Sequence, residues 1–272
     1  MSTATPTPAR LSPTNVTQAR VVLSEWTKLR SLRSTVFSLL AAVVFIVGLS
    51  VLVPSVTVGH WPPREAGEAA AFDPTTRSLS GIFLAQLAIG VLGVLLITGE
   101  YATGMIRATF AAVPARLPVL WAKTMVFAMT TLAVTVPSVI VAFVVGQSIF
   151  KAKDLQTSLG EPGVLRAVLG AALYLTVVGV LGLGLGSLLR NTAAGISALF
   201  GMLLVLPIIV RFLPSSWGNP ITTYLPSTAG EVITHVHPDP SALGPWAGFG
   251  LFCGYAAAVL VAAAINMRRR DA

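Results

Sequence analysis

The sequence predicts an all-α polytopic membrane protein, and three observations support this fold class. Hydrophobic residues make up 54% of the 272-residue chain and charged residues only 10%, whereas soluble globular chains contain about 25% charged residues. The apolar residues fall into six long runs, close to the roughly 20 residues that a helix needs to cross a bilayer. The runs lack the alternating pattern of a membrane β-barrel. Because lipid cannot hydrogen-bond to backbone amides, each run is expected to be helical.

Two segments precede the first apolar run. Residues 1–13 are rich in Thr and Pro, which predicts a disordered tail before a single transmembrane domain over residues 14–272. From Thr14 to Ser34, apolar and basic residues recur on two faces of a helix, a pattern typical of an amphipathic helix on the membrane surface. The apolar positions are Val16, Ala19, Val22, Leu23, Trp26 and Leu29, and the basic positions are Arg20, Lys28, Arg30 and Arg33. The alternative is a simple positively charged flank to the first span.

Six spans follow, separated by segments rich in Pro, Gly and polar residues. The spans are predicted over about 35–53, 82–98, 119 or 125 to 147, 164–189, 193–212 and 245–265. Pro54 is assigned to the first connection, and Pro137 is expected to kink the third span. The stretch 213–244 contains Pro220, Pro226 and Pro238, so it is not expected to form one continuous helix. Cys253 lies alone within the last span, which leaves no disulfide within the chain.

The distribution of charge predicts the orientation of the spans. Six spans place both termini on one side, and the segment between the second and third spans lies on that side too. Twelve of the eighteen Lys and Arg residues then fall on the side of the termini, but only three of the ten acids. Because basic residues concentrate in the cytoplasm, both termini are predicted to be cytoplasmic, in a multi-pass protein of the plasma membrane. The net charge of +8 then reflects orientation and not nucleic-acid binding.

Several kinds of chemistry are not indicated. The spans carry almost no ionisable side chain at mid-depth, which disfavours an ion-coupled carrier. The sequence GLGLGSLL at 182–189 lacks the Lys-Ser/Thr ending of a phosphate loop, so Gly182 and Gly186 are better explained by close helix packing. His235 and His237 with Glu231 could be drawn as metal ligands, but such clusters are common in loops. No ATPase site, enzyme activity, cofactor or metal is therefore expected in this chain.

The segment 99–123 interrupts the apolar sequence between the second and third spans. It contains four charged residues, Glu100, Arg107, Arg116 and Lys123. An apolar stripe after Gly104 predicts a short cytoplasmic helix that the prolines end before the third span. The stripe is Met105, Ile106, Thr109 and Phe110, and the prolines are Pro114 and Pro118. Glu100 would lie near the positive N-terminal end of this helix. An ordinary basic loop explains the pattern equally well from the residues alone.

Three short motifs resemble those of ABC-2-type ABC transporter permeases. The main one is Glu100-Tyr-Ala-Thr-Gly104-Met-Ile-Arg107, then Pro114-Ala-Arg116 and Ala122-Lys123, which looks like the coupling-helix signature of that family. Ser24-Glu25-Trp26-Thr27-Lys28-Leu29-Arg30-Ser31 is similar to its elbow helix, and Tyr224-Leu225-Pro226-Ser227 to its last external region. Met105 departs from the Thr that many members carry. The span number, orientation and loop placement resemble the family over nearly the whole chain.

The resemblance implies a membrane-spanning permease subunit, most often of an exporter, driven by a separate cytoplasmic ABC ATPase. That partner would carry the ATP and Mg, and a second permease chain, identical or a paralogue, would complete the unit. Glu100, Gly104, Arg107 and Arg116 would couple to the ATPase, and Trp26, Lys28, Arg30 and Arg33 would belong to the elbow helix at the lipid surface. Glu100 would meet the ATPase or cap the coupling helix, Gly104 would permit close approach, and the two arginines would pair with acidic groups or lipid phosphates. The alternative is a non-transporting scaffold or sensor on the same fold.

Overall fold

The computed structural model describes residues 17–63, 67 and 72–269, and the tail predicted at 1–13 lies outside these residues. The described chain is helical and contains no strand. Within it, six helical segments are long and apolar enough to span a membrane. The prediction of an all-α multi-pass membrane protein is therefore confirmed at this level.

The helices are labelled in chain order. They are α1 (Gln18–Ser31), α2 (Arg33–Gly59), α3 (Pro74–Ser78), α4 (Ile82–Ala102), α5 (Met105–Ala112), α6 (Leu117–Phe150), α7 (Val164–Leu189), α8 (Thr192–Phe200), α9 (Leu206–Val210), α10 (Ser215–Tyr224), α11 (Pro226–Glu231) and α12 (Pro245–Arg269). A π-helical segment at Gly201–Val205 joins α8 to α9, and together these form the fifth span. Short 3₁₀ turns follow α6 at Lys151–Lys153 and α11 at Val232–Thr234.

The predicted bounds of the fourth span match α7, whereas α2, α4, α6 and α12 extend beyond the bounds predicted for their spans. Helix α2 continues past Pro54 to Gly59, because a transmembrane helix can accommodate a proline when neighbouring groups satisfy the freed carbonyl. Helix α6 begins at Leu117, so Lys123 lies inside the helix and not in the preceding loop. Pro118 stands in the first turn, where a missing backbone N–H costs nothing. Pro118 therefore belongs to the first turn of α6. Pro114 is the proline that lies in the connection between α5 and α6.

Helix α7 forms the centre of the bundle. It is the most buried of the six spans, and α4 is the next most buried. The two helices approach so closely that a Cβ at Gly182 would lie 2.3 Å from the carbonyl oxygen of Gly90. Such contact between backbones requires a residue without a side chain. The glycine-rich stretch at 182–189 therefore serves helix packing, as predicted.

The bundle has two ends with different structures. At one end, which we call the terminal end, Gln18 of α1 donates to the carbonyl of Pro118, and Arg116 donates to the carbonyl of Met267 near the end of α12. The short helix α5 and the turn between α7 and α8 lie at this end too. The opposite end carries α3 and the stretch 211–244. There α10 and α11 are separated by an extended residue, Leu225, so no single helix fills the stretch.

Candidate functional site

Four charged side chains meet inside the terminal end of the bundle. The Nζ atom of Lys123 contacts a carboxylate oxygen of Glu25 and lies 2.9 Å from Oε1 of Glu100. The Nζ atom of Lys28 lies 2.6 Å from Oε1 of Glu25 and 3.2 Å from Oε1 of Glu100. We call these four residues the ion cluster. Each carboxylate contacts both ammonium groups, so the cluster is closed and formally neutral.

The ion cluster is withdrawn from solvent. The side chains of Glu25, Glu100 and Lys123 are only 3%, 4% and 2% exposed, whereas that of Lys28 is 21% exposed. A buried charge is tolerated when opposite charges and hydrogen bonds compensate for the lost hydration. Removing one member would leave an uncompensated charge, which typically costs about 3–5 kcal/mol. The cluster therefore fixes the relative positions of the helices that contribute to it.

The four residues of the ion cluster come from three helices. Glu25 and Lys28 lie one turn apart on α1, Glu100 lies near the end of α4, and Lys123 lies in the second turn of α6. Lys28 also donates to Oγ1 of Thr109 on α5 over 3.2 Å. The surface helix α1, the short helix α5 and two membrane spans are thus joined through one set of polar contacts. A movement of α1 or α5 must displace charges that α4 and α6 hold.

Lys28 is the member of the ion cluster closest to solvent. Burial alone would lower the pKa of Lys28, but its hydrogen bond to Glu25 and the charge of Glu100 raise the pKa above the usual lysine value. The ammonium form is therefore favoured in the folded protein. Lys28 remains a cation throughout the neutral range, and its links to α4 and α5 persist there.

The short helix α5 presents one buried face and one exposed face. Ile106 and Phe110 are buried against the bundle, while Met105 and Arg107 are exposed. The buried pair agrees with the predicted apolar stripe, although Met105 does not belong to it. Gly104 precedes α5 with a φ of 73°, in the left-handed region that favours glycine. A Cβ there would meet open space, so Gly104 turns the chain between α4 and α5 and makes no close approach within this chain.

Glu100 does not have the position predicted for it. We expected Glu100 to cap the coupling helix or to face a partner, but α5 begins at Met105 and no side chain caps its N-terminus. Glu100 instead lies two residues before the end of α4, where Lys28 and Lys123 surround one of its oxygens. The other oxygen, Oε2, is buried without a hydrogen-bond partner among the described residues. Capping by Glu100 is therefore wrong, and its buried carboxylate is not available at the surface.

Arg116 forms contacts within the chain, and its predicted role toward a partner stays a prediction. Its Nη1 donates to the carbonyl of Met267 over 3.0 Å, and its guanidinium lies 5.4 Å from the ring centre of Phe110. Its backbone has a φ of 54° at the turn before α6. These contacts tie the α5–α6 connection to the end of α12. Of the two arginines proposed to meet a partner, Arg107 alone is an exposed side chain.

The elbow residues divide between the ion cluster and the surface. Lys28 belongs to the cluster, whereas Trp26, Arg30 and Arg33 are exposed, and Arg33 already begins α2. The buried side of α1 is formed by Val21, Glu25 and Leu29, each four residues from the next. Leu23 and Trp26, which belong to the predicted apolar face, are 64% and 43% exposed. These two residues give α1 an outward apolar side, as a helix on a bilayer surface would need.

Sequence reasoning did not assign Glu25, Thr109 or Lys123 to a polar site. One signal could have indicated Glu25, because it lies midway in the apolar row between Val21 and Leu29. An acid in such a row requires a buried cation. Lys123 offers no comparable signal, since it stands between Ala122 and Thr124, between the two alternative starts predicted for the third span at 119 and 125.

A groove of about 360 Å³ runs between α1 and α5 beside the ion cluster. Arg20 and Ser24 of α1 form one side, and Ala108 and Ala112 of α5 form the other. Both helices are therefore accessible from this one groove. The described residues contain no cluster of His, Cys, Asp and Glu suited to a metal ion.

No protein-family profile matches this chain, and no curated protein shows significant sequence similarity to it.

Proposed function

We propose that the chain is the membrane-spanning subunit of an ABC-type exporter, powered by a separate ATPase that docks on the segment 99–118. The observation that carries this proposal is the ion cluster, because it connects two surface helices with two spans at the same end of the bundle. The local motifs around Glu100 and Glu25 resemble those of ABC-2-type permeases, and both acids are members of that cluster.

The mechanism follows from these connections. An ATPase that binds the exposed face of α5 would contact Met105 and Arg107, and the groove would bring α1 into the same interface. Closure of the ATPase would then move α1 and α5 together, since Lys28 contacts Thr109 across them. Glu25 and Glu100 would transmit that movement to Lys123 in α6. The ion pairs carry the force because breaking any of them exposes a buried charge to an apolar surrounding.

Helices α4 and α7 would convert this movement into a change in the side of the membrane to which the transport pathway opens. Their glycine-mediated contact allows the backbones to slide without large side-chain barriers between them. A second permease chain, identical or a paralogue, would complete the pathway in the plasma membrane. On this proposal both termini are cytoplasmic, and ATP and Mg bind to the partner subunit.

The test is co-purification of the tagged full-length chain from its native membrane in a mild detergent. We expect an ATP-binding subunit to co-purify in a stoichiometric amount. Arg107→Glu should abolish its recovery, because it reverses the charge on the exposed face of α5. The matched control is Arg211→Glu, which changes an exposed arginine at the opposite end of the bundle.

Recovery of the intact chain without an ATPase would contradict the transporter proposal and favour a scaffold or sensor that works without ATP. Equal loss in both arginine variants would also contradict docking on α5. Thermal unfolding of each purified variant separates a lost interface from a lost fold, since neither exposed arginine should change the unfolding midpoint by much.

A further inference from the structure

A second polar site lies at the opposite end of the bundle, away from the ion cluster. A cavity of about 810 Å³ opens there between α2, α3, the start of α4 and the turn that follows α11. This volume lies within the roughly 300–1,000 Å³ typical of small-molecule sites. Its polar lining includes Asp73, Arg77, Ser80, Glu231 and His235. The cavity therefore brings charges of both signs together in one space.

Side-chain hydrogen bonds hold both polar walls of the cavity in place. Gln147 of α6 donates to the carbonyl of Pro74 over 3.1 Å and to Oγ of Ser78 over 3.0 Å, which fixes α3. Arg166 of α7 donates to the carbonyl of His235 over 3.0 Å, which fixes the turn after α11. Both α3 and that turn are thus anchored to the central spans. The cavity has a defined shape and is not a gap between loose loops.

The charged side chains that line the cavity form no ion pairs with one another. Glu231 is half-buried, and its carboxylate forms no hydrogen bond or ion pair with any residue that the structure describes. The hydroxyl Oγ of Ser80 is likewise buried without a partner in the described residues. Arg77 is exposed and forms no ion pair in this part of the chain. Burial raises the pKa of Glu231, although His235 partly opposes the shift. A further cation bound in the cavity would favour the charged carboxylate in the same way.

Apolar surface continues the cavity towards the outside of the bundle. Val53 of α2 and Phe83 of α4 line it, and Phe83 is 54% exposed. Leu52 and Val56, on the same helix as Val53, are 56% and 53% exposed. A ligand with a polar head and an apolar tail would place its head among the charged groups and its tail along these helices. A fully hydrophilic ligand would leave this apolar surface uncovered.

We propose that this cavity binds the head of a zwitterionic phosphoamine amphiphile, with the ammonium group at Glu231 and the phosphate at Arg77. Ser80 would donate its hydroxyl to a phosphate oxygen. An ammonium supplies the ion-pair partner that the Glu231 carboxylate lacks among the described residues, and a guanidinium is suited to bind phosphate oxygens in pairs. The same head chemistry occurs in a membrane lipid and in a free phosphoamine solute. This site is independent of the proposed ATPase partner.

The experiment is a calorimetric titration of the purified full-length chain, in detergent, with three probes. Dihexanoyl phosphatidylethanolamine carries the complete head, dihexanoyl phosphatidylglycerol lacks the amine, and free phosphoethanolamine lacks the chains. We expect the ethanolamine lipid to bind at least about tenfold more tightly than the glycerol lipid, since one charged hydrogen bond is worth about this factor. Tighter binding of the lipid than of free phosphoethanolamine would identify a lipid ligand. Equal binding of these two would identify a soluble one.

Two variants locate the binding groups. Glu231→Gln should remove the preference for the ethanolamine lipid, and Arg77→Gln should weaken both lipids, because the phosphate is common to them. Arg77 is exposed, so Arg77→Gln should retain the fold. This variant still tests the proposal if Glu231→Gln fails to fold. Glu161→Gln, an exposed acid at the same end but outside the cavity, should leave binding unchanged.

The proposal is overturned if the two lipids bind equally well to the unmodified chain. It is also overturned if Arg77→Gln and Glu161→Gln have the same affinity for the ethanolamine lipid. Neither result would bear on docking of an ATPase, because the titration uses the permease chain alone.

Discussion

The two ends of the bundle differ in whether their charged side chains are paired with one another. At the terminal end, Glu25, Lys28, Glu100 and Lys123 form a closed set in which every member contacts two opposite charges. At the opposite end, Glu231 and Arg77 line one cavity without an ion pair between them or with any other described residue. The side chains of the ion cluster are largely withdrawn from solvent, whereas the cavity is large enough to hold a ligand.

This difference distinguishes a structural link from a binding site. A buried charge must be compensated somewhere, and at the terminal end the compensation comes from other helices of the same chain. Its consequence is rigidity between α1, α4, α5 and α6. At the opposite end the described residues supply no ion-pair partner for Glu231 or Arg77, and the proposed ligand would supply one for each.

The largest effect is expected when one buried partner is removed from the ion cluster. Lys123→Met leaves Glu25 and Glu100 with Lys28 as their shared cation, and it should lower the free energy of unfolding by about 3–5 kcal/mol. Denaturation of the purified protein in detergent measures this loss. Lys151→Met, at an exposed lysine of the opposite end, should change stability by less than about 0.5 kcal/mol. Similar small losses in both variants would show that the cluster is not buried as described.

Removing a matched pair should cost less than removing one charge. Glu25→Gln combined with Lys123→Met leaves Lys28 facing Glu100 over 3.2 Å, so the remaining pair stays neutral. We expect the double variant to be more stable than Lys123→Met alone, with a coupling energy of about 0.5–3 kcal/mol. A double-mutant cycle of unfolding free energies gives this value. Strict additivity of the two single losses would argue against a direct interaction.

A smaller effect is expected at the turn between α4 and α5. Gly104→Ala forces a left-handed φ on a residue with a Cβ, at a cost of about 1–2 kcal/mol, although the side chain itself meets open space. The matched control is Gly99→Ala, which lies in the helical part of α4 and also meets open space. That change should be neutral or stabilise by up to about 1 kcal/mol. The two unfolding free energies should therefore move in different directions.

The pH dependence of stability provides a test at the opposite end. Because the pKa of Glu231 is raised in the folded state, the folded protein binds this proton more tightly than the unfolded chain does. The protonated form of Glu231 therefore contributes to the free energy of unfolding at low pH. This contribution is lost as the pH rises from the ordinary glutamate pKa through the raised pKa of the folded state. Glu231→Gln should remove this part of the pH dependence, whereas Glu161→Gln should retain it. Unfolding midpoints measured across the acidic range compare the two variants.

The smallest effect is expected for Arg77→Gln without ligand. Arg77 is exposed and forms no ion pair in the described chain, so the variant should change the free energy of unfolding by less than about 0.5 kcal/mol. A loss as large as that of Lys123→Met would show that Arg77 has a structural partner. The contrast between the two ends would then fail.

The sequence predicted most of the fold and only part of the site. Long apolar runs predict helices directly, which is why α7 matches its predicted bounds at Val164 and Leu189. Local signals mislead near prolines, because Pro54 and Pro118 lie inside helices where tertiary surroundings accommodate them. The ion cluster could not be predicted in full, since Lys123 lies 98 positions from Glu25 and 23 positions from Glu100. Only packing brings Glu25 of α1 beside Lys123 of α6.

The central claim is that a partner ATPase docks on the exposed face of α5, and site-specific crosslinking tests it most directly. A photoreactive amino acid would replace Arg107 in the full-length chain, and another would replace Trp217, which is 70% exposed on α10 at the opposite end. After irradiation of native membranes, we predict that an ATP-binding protein is crosslinked through position 107 and not through position 217. Absence of this crosslink at position 107, or equal crosslinking at both positions, would contradict the account.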